Sequence, residues 1–403
     1  MPISPNNRIF VTGMGAVTPL GFSVAETWCG LLAGRSAVSP LDLFDLGGMS
    51  CTQAGQIRNF IAPAAITAAG AHDRASGFAA AACLEALLQA GLLIPHSAFR
   101  IPHSIALVAA TNFGGMDHGE NALVGDAPVT AAAQDLSAGV TADRLALALG
   151  LRGPRATITL SCAAGAAGLA YAASLIRHGR AERVLVVGFD AISRFAWSGL
   201  CALRTMTKDR VRPFDLNRSG TIFTEGAAAL LLESASSCCG RDGAPLAELV
   251  GWGTNNNGFH ITAPAPRGAG SAQVLRQALA RANLSPDAID HINAHGTGTQ
   301  PNDSTEAQAI ADVFGAYAPR IPVTSIKSSL GHMLGAAGAI EAIVSVLSLR
   351  EGVIPPTTNF ETPDPACAVD LVVNQPRAVK LRHVLSNSAG IGGANAAVIF
   401  GKA

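Results

Sequence analysis

The chain has 403 residues, 49% of them hydrophobic and 14% charged, with 28 basic and 28 acidic side chains. That length supports one large core or two fused halves. A formal net charge of zero leaves no global field for nucleic acid or a membrane surface.

No run is long and apolar enough to span a bilayer, and the first residues lack a basic stretch followed by an apolar one. The eight cysteines form no C-x-x-C pair or zinc spacing. A reducing, cytoplasmic setting is therefore expected, with no support for a metalloprotein.

Residues 8–14 read as an opening strand, and 24–33 as a helix ended by Gly34. Residues 40–65 are irregular, and an Ala-rich helix over 75–90 stops at Gly91. Residues 104–110 form a buried strand running into Asn112-Phe113-Gly114-Gly115. Residues 116–140 read as loop, followed by a helix over 141–149.

The run 156–160 is a short β-branched strand, and Cys162 follows it at once. An Ala- and Gly-rich helix then continues to about Gly179. A cysteine at a strand-to-helix turn meets unpaired N–H groups and the helix dipole, which favour the thiolate and can face an oxyanion. A buried core cysteine is the competing reading. Residues 183–189 form a strand, 193–224 are long and irregular, and 226–233 form another strand.

A second series begins near Ala247. Strands are predicted at 249–253, 289–294, 321–325, 369–373, 383–388 and 396–400, with helices over 271–282, 304–314 and 335–349. Strands alternate with helices throughout, which predicts parallel sheets covered on both faces. Gly-Ala-Ala-Gly occurs at 165–168 and again at 335–338, each after a strand and a turn. This echo points to two related halves, 1–243 and 244–403, meeting face to face.

Two motifs in the second half end strands with titratable groups. One is Asn293-Ala294-His295-Gly296-Thr297-Gly298-Thr299, with Asp303 and Glu306 beyond it. The other is Lys327-Ser328-Ser329-Leu330-Gly331-His332, and Glu341 interrupts the apolar helix that follows. A carboxylate there should be buried and paired. Each histidine alone reads as a satisfied core residue, and Lys327 alone as a surface charge. Together, Cys162, His295 and His332 all sit at carboxyl ends of strands, where α/β sites form. A thiolate accepts acyl groups, and a second histidine beside a lysine suits an enolate or a leaving carboxylate.

Across nearly its whole length the chain resembles the β-ketoacyl-acyl-carrier-protein synthases, the elongating Cys-His-His condensing enzymes of the thiolase-like superfamily. The likeness rests on VTGMGAVTPLG (11–21), LSCAAG (160–165), RPFDLNRSG (212–220), EGAAALLLE (225–233), NAHGTGT (293–299), KSSLGHMLGAAGAIEA (327–342) and SNSAGIGGAN (386–395). It implies an α/β, duplicated thiolase-like fold whose two βαβαβ halves form α-β-α-β-α layers. It implies a homodimer, or a heterodimer with a ketosynthase-like subunit. The partner is an acyl-carrier protein whose phosphopantetheine carries acyl and malonyl thioesters, and no free cofactor is needed.

The resemblance also implies roles. Cys162 takes the acyl chain, and the N–H groups of Cys162 and Ile391 form the oxyanion hole. His295 and His332 promote decarboxylation, Lys327 tunes the site, and Glu341, Asp303 and Glu306 support it. Thr297 and Thr299 match positions that bind the pantetheine arm. In some relatives, groups matching Asn293, Glu341, Ser386 and Asn387 surround a structural monovalent cation.

Three departures stand out. The glycine loop, aromatic at two positions in relatives, reads Ala389-Gly390-Ile391 here, so gating and substrate shape differ. Phe113 stands where relatives line the acyl pocket with a smaller residue. Residues 61–74 have little basic charge, so carrier docking would rely on Arg204, Lys208, Arg210, Arg212 and Arg218. These features favour a specialised polyketide or polyene pathway. The rival reading is a non-condensing, chain-length partner subunit, whose mark is loss of the nucleophile. A thiolase would carry a second cysteine in the glycine loop, and residues 386–395 hold none.

Overall fold

The computed structural model describes residues 8–92, 104–125, 132–238 and 244–403. Its main strands are β1 (Ile9–Val17), β2 (Ala106–Ala110), β3 (Arg155–Ile158), β4 (Arg183–Asp190), β5 (Gly226–Ser234), β6 (Ala247–Asn256), β7 (His291–Asn293), β8 (Pro322–Thr324), β9 (His383–Ala389) and β10 (Ala394–Gly401). Its main helices are α1 (Val24–Leu32), α2 (Arg74–Gln89), α3 (Met116–Val124), α4 (Ala138–Ala148), α5 (Ala164–Arg177), α6 (Arg194–Ala202), α7 (Ala269–Ala282), α8 (Gln300–Phe314) and α9 (Ala337–Glu351).

The duplication is visible in the strand order. The sheet runs β3-β2-β4-β5-β1, then β6-β10-β9-β7-β8, with the edge strand Asp370–Leu371 beyond β8. Each series of five is thus ordered third, second, fourth, fifth, first, reflected across a β1–β6 seam where Phe10 pairs with Glu248. In both, the three outer strands are parallel and the inner two antiparallel. The expectation of wholly parallel sheets is therefore corrected. Only residues 390–393 separate β9 from β10, too few for a crossover, so the pair must form a hairpin.

Strand residues are apolar on both faces because both faces are covered. In the first series, Leu107, Ala109, Leu185 and Val187 face the core under α2 and α4. Their neighbours Val108, Val184 and Val186 face a central core holding Leu169 of α5 and Ile340 of α9. In the second series, Ile292 and Ile399 face a third core with Val274 of α7 and Ile310 of α8. The layers are α-β-α-β-α.

The repeated glycines let α5 and α9 meet in the central layer. A Cβ on Gly165 would lie 2.6 Å from the Ala339 nitrogen, and one on Gly338 would lie 2.5 Å from the Ala166 nitrogen. Two helices, α3 and α6, replace stretches read as irregular. Helix α3 begins without a side-chain cap and carries Gly119 internally, which hides its pattern. The start of α6 was legible, since Ser193 accepts a hydrogen bond from the Ala196 N–H. The expected junction after residue 243 lies against residues 239–243, outside the described residues.

Candidate active site

Cys162 sits between β3 and α5, 8% exposed. Ser161 before it takes the left-handed region at φ 51°, an uncommon setting for a side-chain-bearing residue. Turn hydrogen bonds from Ala163 N–H to Leu160 O (3.2 Å) and from Ala164 N–H to Ser161 O (3.0 Å) hold this elbow. Burial pushes the Cys162 thiol up, against the Ser161 hydroxyl, the Lys327 ammonium and the Ile391 N–H, which lower it. The expectation of a favoured thiolate is thus corrected: desolvation outweighs the charges that favour it.

His295 follows β7, and His332 lies between β8 and α9. Their rings stand edge to face with centroids 5.4 Å apart. The Cys162 sulfur and one nitrogen of each ring lie within 4.8 Å of one another. Sequence spacing gave no metal site, yet folding gathers three donors that could ligate one. His332 is fixed through its backbone, donating its N–H to Ile222 O at 2.7 Å and accepting from Thr224 N–H at 2.9 Å. Burial, then the Lys327 charge, holds both imidazoles well below the usual histidine range, and for His295 the His332 ring adds to this. Both rings are neutral at physiological pH.

Hydrogen bonds select the tautomers. The Lys327 Nζ donates to Glu341 Oε1 and to His295 O (2.6 Å), and lies 3.4 Å from His295 Nδ1. An ammonium has three donors and no acceptor, so His295 Nδ1 accepts and Nε2 carries the proton. His332 Nδ1 accepts from the Leu334 N–H at 3.1 Å. Its protonated Nε2 has no partner among the described residues.

Lys327 is buried, contrary to its reading as a lone surface charge. Its ion-pair partner Glu341 is buried too, and burial pushes that carboxyl up to about 7 against the pull of Lys327. Glu306 accepts from the N–H groups of His295 (2.7 Å) and Gly296 (2.8 Å) and from Asn387 Nδ2 (2.7 Å). Asp303 accepts from the N–H groups of Gly298 and Phe214, the latter at 2.8 Å. The two carboxylates thereby tie down the loop between β7 and α8. Asn293 Oδ1, Ser386 Oγ and Asn387 Oδ1 are buried without a partner among the described residues. Orphaned oxygens in this number fit a monovalent cation.

A pocket of about 340 Å³ is lined by Cys162, His295 and His332, and by Thr297, Thr299 and Ala389–Ile391 of the expected residues. The β9–β10 hairpin loop supplies its glycine wall. A Cβ on Gly390 would stand 3.2 Å from the Cys162 nitrogen, so bare backbone lies against the nucleophile. Gly392 is anchored by its N–H to Ile261 O (2.9 Å) and by Asn256 Nδ2 to its own carbonyl (2.8 Å).

Phe113 is not a lining residue. It packs against the cluster of Trp197, Leu334 and Phe223, and only Phe223 of these reaches the pocket. Sequence reasoning missed Phe223, Asn257 and Ser271. The turn signal Asn-Asn-Asn-Gly at 255–258 marked the second of these. Of the basic run, Arg218 is buried against Asp364, and Arg212 pairs with Asp209 and Glu361. Arg204, Lys208 and Arg210 remain exposed, and Arg204 borders the pocket.

Two family models match the chain: Beta-ketoacyl synthase, N-terminal domain, over residues 6–237, and Beta-ketoacyl synthase, C-terminal domain, over 246–361. A 3-oxoacyl-[acyl-carrier-protein] synthase 2 from Synechocystis sp. is 34% identical over 414 residues, 98% of each chain. The ishigamide ketosynthase/chain length factor superposes with a TM-score of 0.89 at 34% identity, covering 98% of this chain and 99% of that one. A type II polyketide ketosynthase, solved with its acyl-carrier protein and bound to the hexaketide, gives 0.88 at 28% identity, with 98% and 99% covered.

Proposed function

The chain belongs to the β-ketoacyl synthase family, and on that premise we propose how its own residues carry out the condensation. An acyl-carrier protein delivers the acyl chain through the pocket. The Cys162 sulfur attacks the thioester carbonyl, the carbon–sulfur bond to the carrier breaks, and the thiol proton passes to the departing sulfur. The N–H groups of Cys162 and Ile391 face the oxyanion. Malonyl carrier protein then enters, with its pantetheine arm against Thr297 and Thr299. Carbon dioxide leaves, and the electron pair it leaves behind forms an enolate. The Nε2–H groups of His295 and His332 donate to the enolate oxygen. Its carbon attacks the Cys162 thioester, the β-ketoacyl product departs on the carrier, and a proton from solvent restores the thiol.

The observation that carries this reading is the tautomer pair. Lys327 Nζ and the Leu334 N–H each face an Nδ1, leaving both Nε2 positions as donors beside the thiol. Enolate stabilisation needs two such donors. The monovalent cation would be held by Asn293, Ser386 and Asn387, near Glu341, and would supply fixed positive charge there.

The two halves, 1–243 and 244–403, divide the work between nucleophile and donors. Arg204, Lys208 and Arg210 present the basic face for an acidic carrier. Among the described residues the outer edge of β3 ends the sheet, and it offers its ladder to a second copy or a ketosynthase-like partner. Ile391 in place of an aromatic gate supports a specialised polyketide or polyene substrate. Among the described residues no helix is long and apolar enough to cross a membrane.

Intact-mass spectrometry after incubation with a panel of acyl-carrier proteins tests the reading. The wild type should gain one acyl mass, which malonyl carrier protein then discharges as an extended β-ketoacyl product. Cys162→Ala should gain none. No acylation with any chain, alone or with a candidate partner subunit, would favour the chain-length subunit reading.

A further inference from the structure

The Cys162, His295 and His332 donors match a zinc ligand set in type and gather within reach of one. Zinc binds thiolate sulfur at about 2.3 Å and imidazole nitrogen at about 2.0–2.1 Å, so tetrahedral donors lie about 3.5 Å apart. The three atoms here fall within 4.8 Å, all three residues are buried, and the pocket leaves a fourth position open. Thiolate and imidazole donors suit zinc, as they suit copper, and zinc is the redox-inert ion of the two.

The proton arrangement opposes the metal. A zinc-bound histidine uses one ring nitrogen and donates the other N–H to a carboxylate, carbonyl or water. Here neither Nδ1 faces an acceptor. His295 Nδ1 faces Lys327 Nζ, whose other contacts are His295 O and Glu341 Oε1. His332 Nδ1 receives the Leu334 N–H. To expose Nε2 to zinc, each ring would move its proton onto Nδ1, against a donor. That loses a hydrogen bond and sets two donors face to face at each ring.

We infer that the pocket is a latent zinc site, kept free of the metal because Lys327 and the Leu334 N–H lock both histidines in the Nε2–H tautomer. Lys327 then has a second role beside holding His295 as a donor: the same contact guards the thiol against zinc. The inference rests on the same tautomer pair as the condensation reading but is read on bound metal, so a failed zinc test leaves acyl loading of Cys162 standing, and failed loading leaves the zinc result standing.

The test measures zinc bound per chain, by dialysis against buffered zinc sulfate and elemental analysis. Lys327→Met removes the donor to His295 Nδ1 and should bind one zinc at least tenfold more tightly than the wild type. The double variant Lys327→Met/Glu341→Gln removes one positive and one negative charge together. It separates the tautomer from the local charge, guards against a misfolded single variant, and should show the same gain. Adding Cys162→Ser should abolish it. Long-range proton–nitrogen NMR on ¹⁵N-histidine-labelled wild type should show Nε2–H on both rings, and the double variant should release His295 from that state. Equal zinc affinity in the wild type and the double variant would overturn the inference. So would an Nδ1–H ring at either position in the wild type, or zinc uptake that survives loss of Cys162.

Discussion

The two halves share one topology and use it differently. The turn between β3 and α5 spans residues 159–163 and delivers a single reactive atom, the Cys162 sulfur. Its counterpart between β8 and α9 spans 325–336, with room for the short helix Lys327–Leu330 and for His332. The equivalent positions after β2 and β7 also diverge. One carries Thr111–Phe113, whose N–H and hydroxyl groups Asp190 gathers. The other carries His295. A nucleophile needs only a tight elbow and nearby N–H groups. Two oriented imidazoles need a lysine, three buried carboxylates and longer turns to hold them. The duplicated scaffold let one half stay minimal while the other accumulated polar support.

The largest effect that would break this division is loss of a donor from the second half. His332→Ala should lower condensation by about 10²- to 10⁴-fold while leaving acyl loading of Cys162 intact. Intact mass reads the loading and product formation reads the condensation. Loss of both together would mean that the halves do not divide the steps.

Next comes the buried ion pair. Lys327→Met leaves Glu341 buried without its cation and should destabilise the fold by about 3–5 kcal/mol, measured by denaturant unfolding. The double variant with Glu341→Gln should recover most of that loss.

The contact between α5 and α9 is a backbone-to-backbone approach. Gly338→Ala should cost about 1–3 kcal/mol, and Gly165→Ala a similar amount. A loss at only one site would show that the repeat is not symmetric in packing.

A gentler probe is pH. The Glu341 carboxyl is pushed up from 4.5 to about 7. A raised carboxyl favours the folded state fully below its unfolded value, and that contribution is lost as pH rises through the folded value. Glu341→Gln should therefore flatten the fall in stability between pH 4.5 and 7, followed by thermal unfolding across that range. Smallest is the gate. Ile391→Phe should change the ratio of acylation rates between short and long acyl carriers by less than tenfold, about 1 kcal/mol, with overall turnover preserved. A turnover loss as large as that of His332→Ala would show the loop to be part of the chemistry.

Much of this was legible in the residues. Cys162 announced itself by a β-branched strand before it and small residues after it. Glu341 did so as one carboxylate in an apolar helix, and the paired Gly-Ala-Ala-Gly runs marked the duplication. Phe113 misled, because a pocket position in relatives does not fix where a ring turns. Here Asp190 accepts the Phe113 N–H at 2.9 Å while the side chain packs against the cluster that holds Trp197 and Phe223. Arg218 misled as well, since nothing local to it signals Asp364, 146 residues away.

By itself the sequence determined most of the elements, the duplication and the candidates for the reacting groups, because periodicity, glycine punctuation and residue chemistry are local properties. Only the tertiary structure decided the protonation of those groups. Whether Cys162 is thiol or thiolate, which nitrogen of His295 and His332 holds the proton, and whether Lys327 is solvated or buried all depend on desolvation and on donors set in place by folding, from Lys327, 32 residues from His295, to the Leu334 N–H, two residues from His332. For Cys162, the Lys327 and Ile391 groups that lower its thiol come from the second half and act only once the two halves have met.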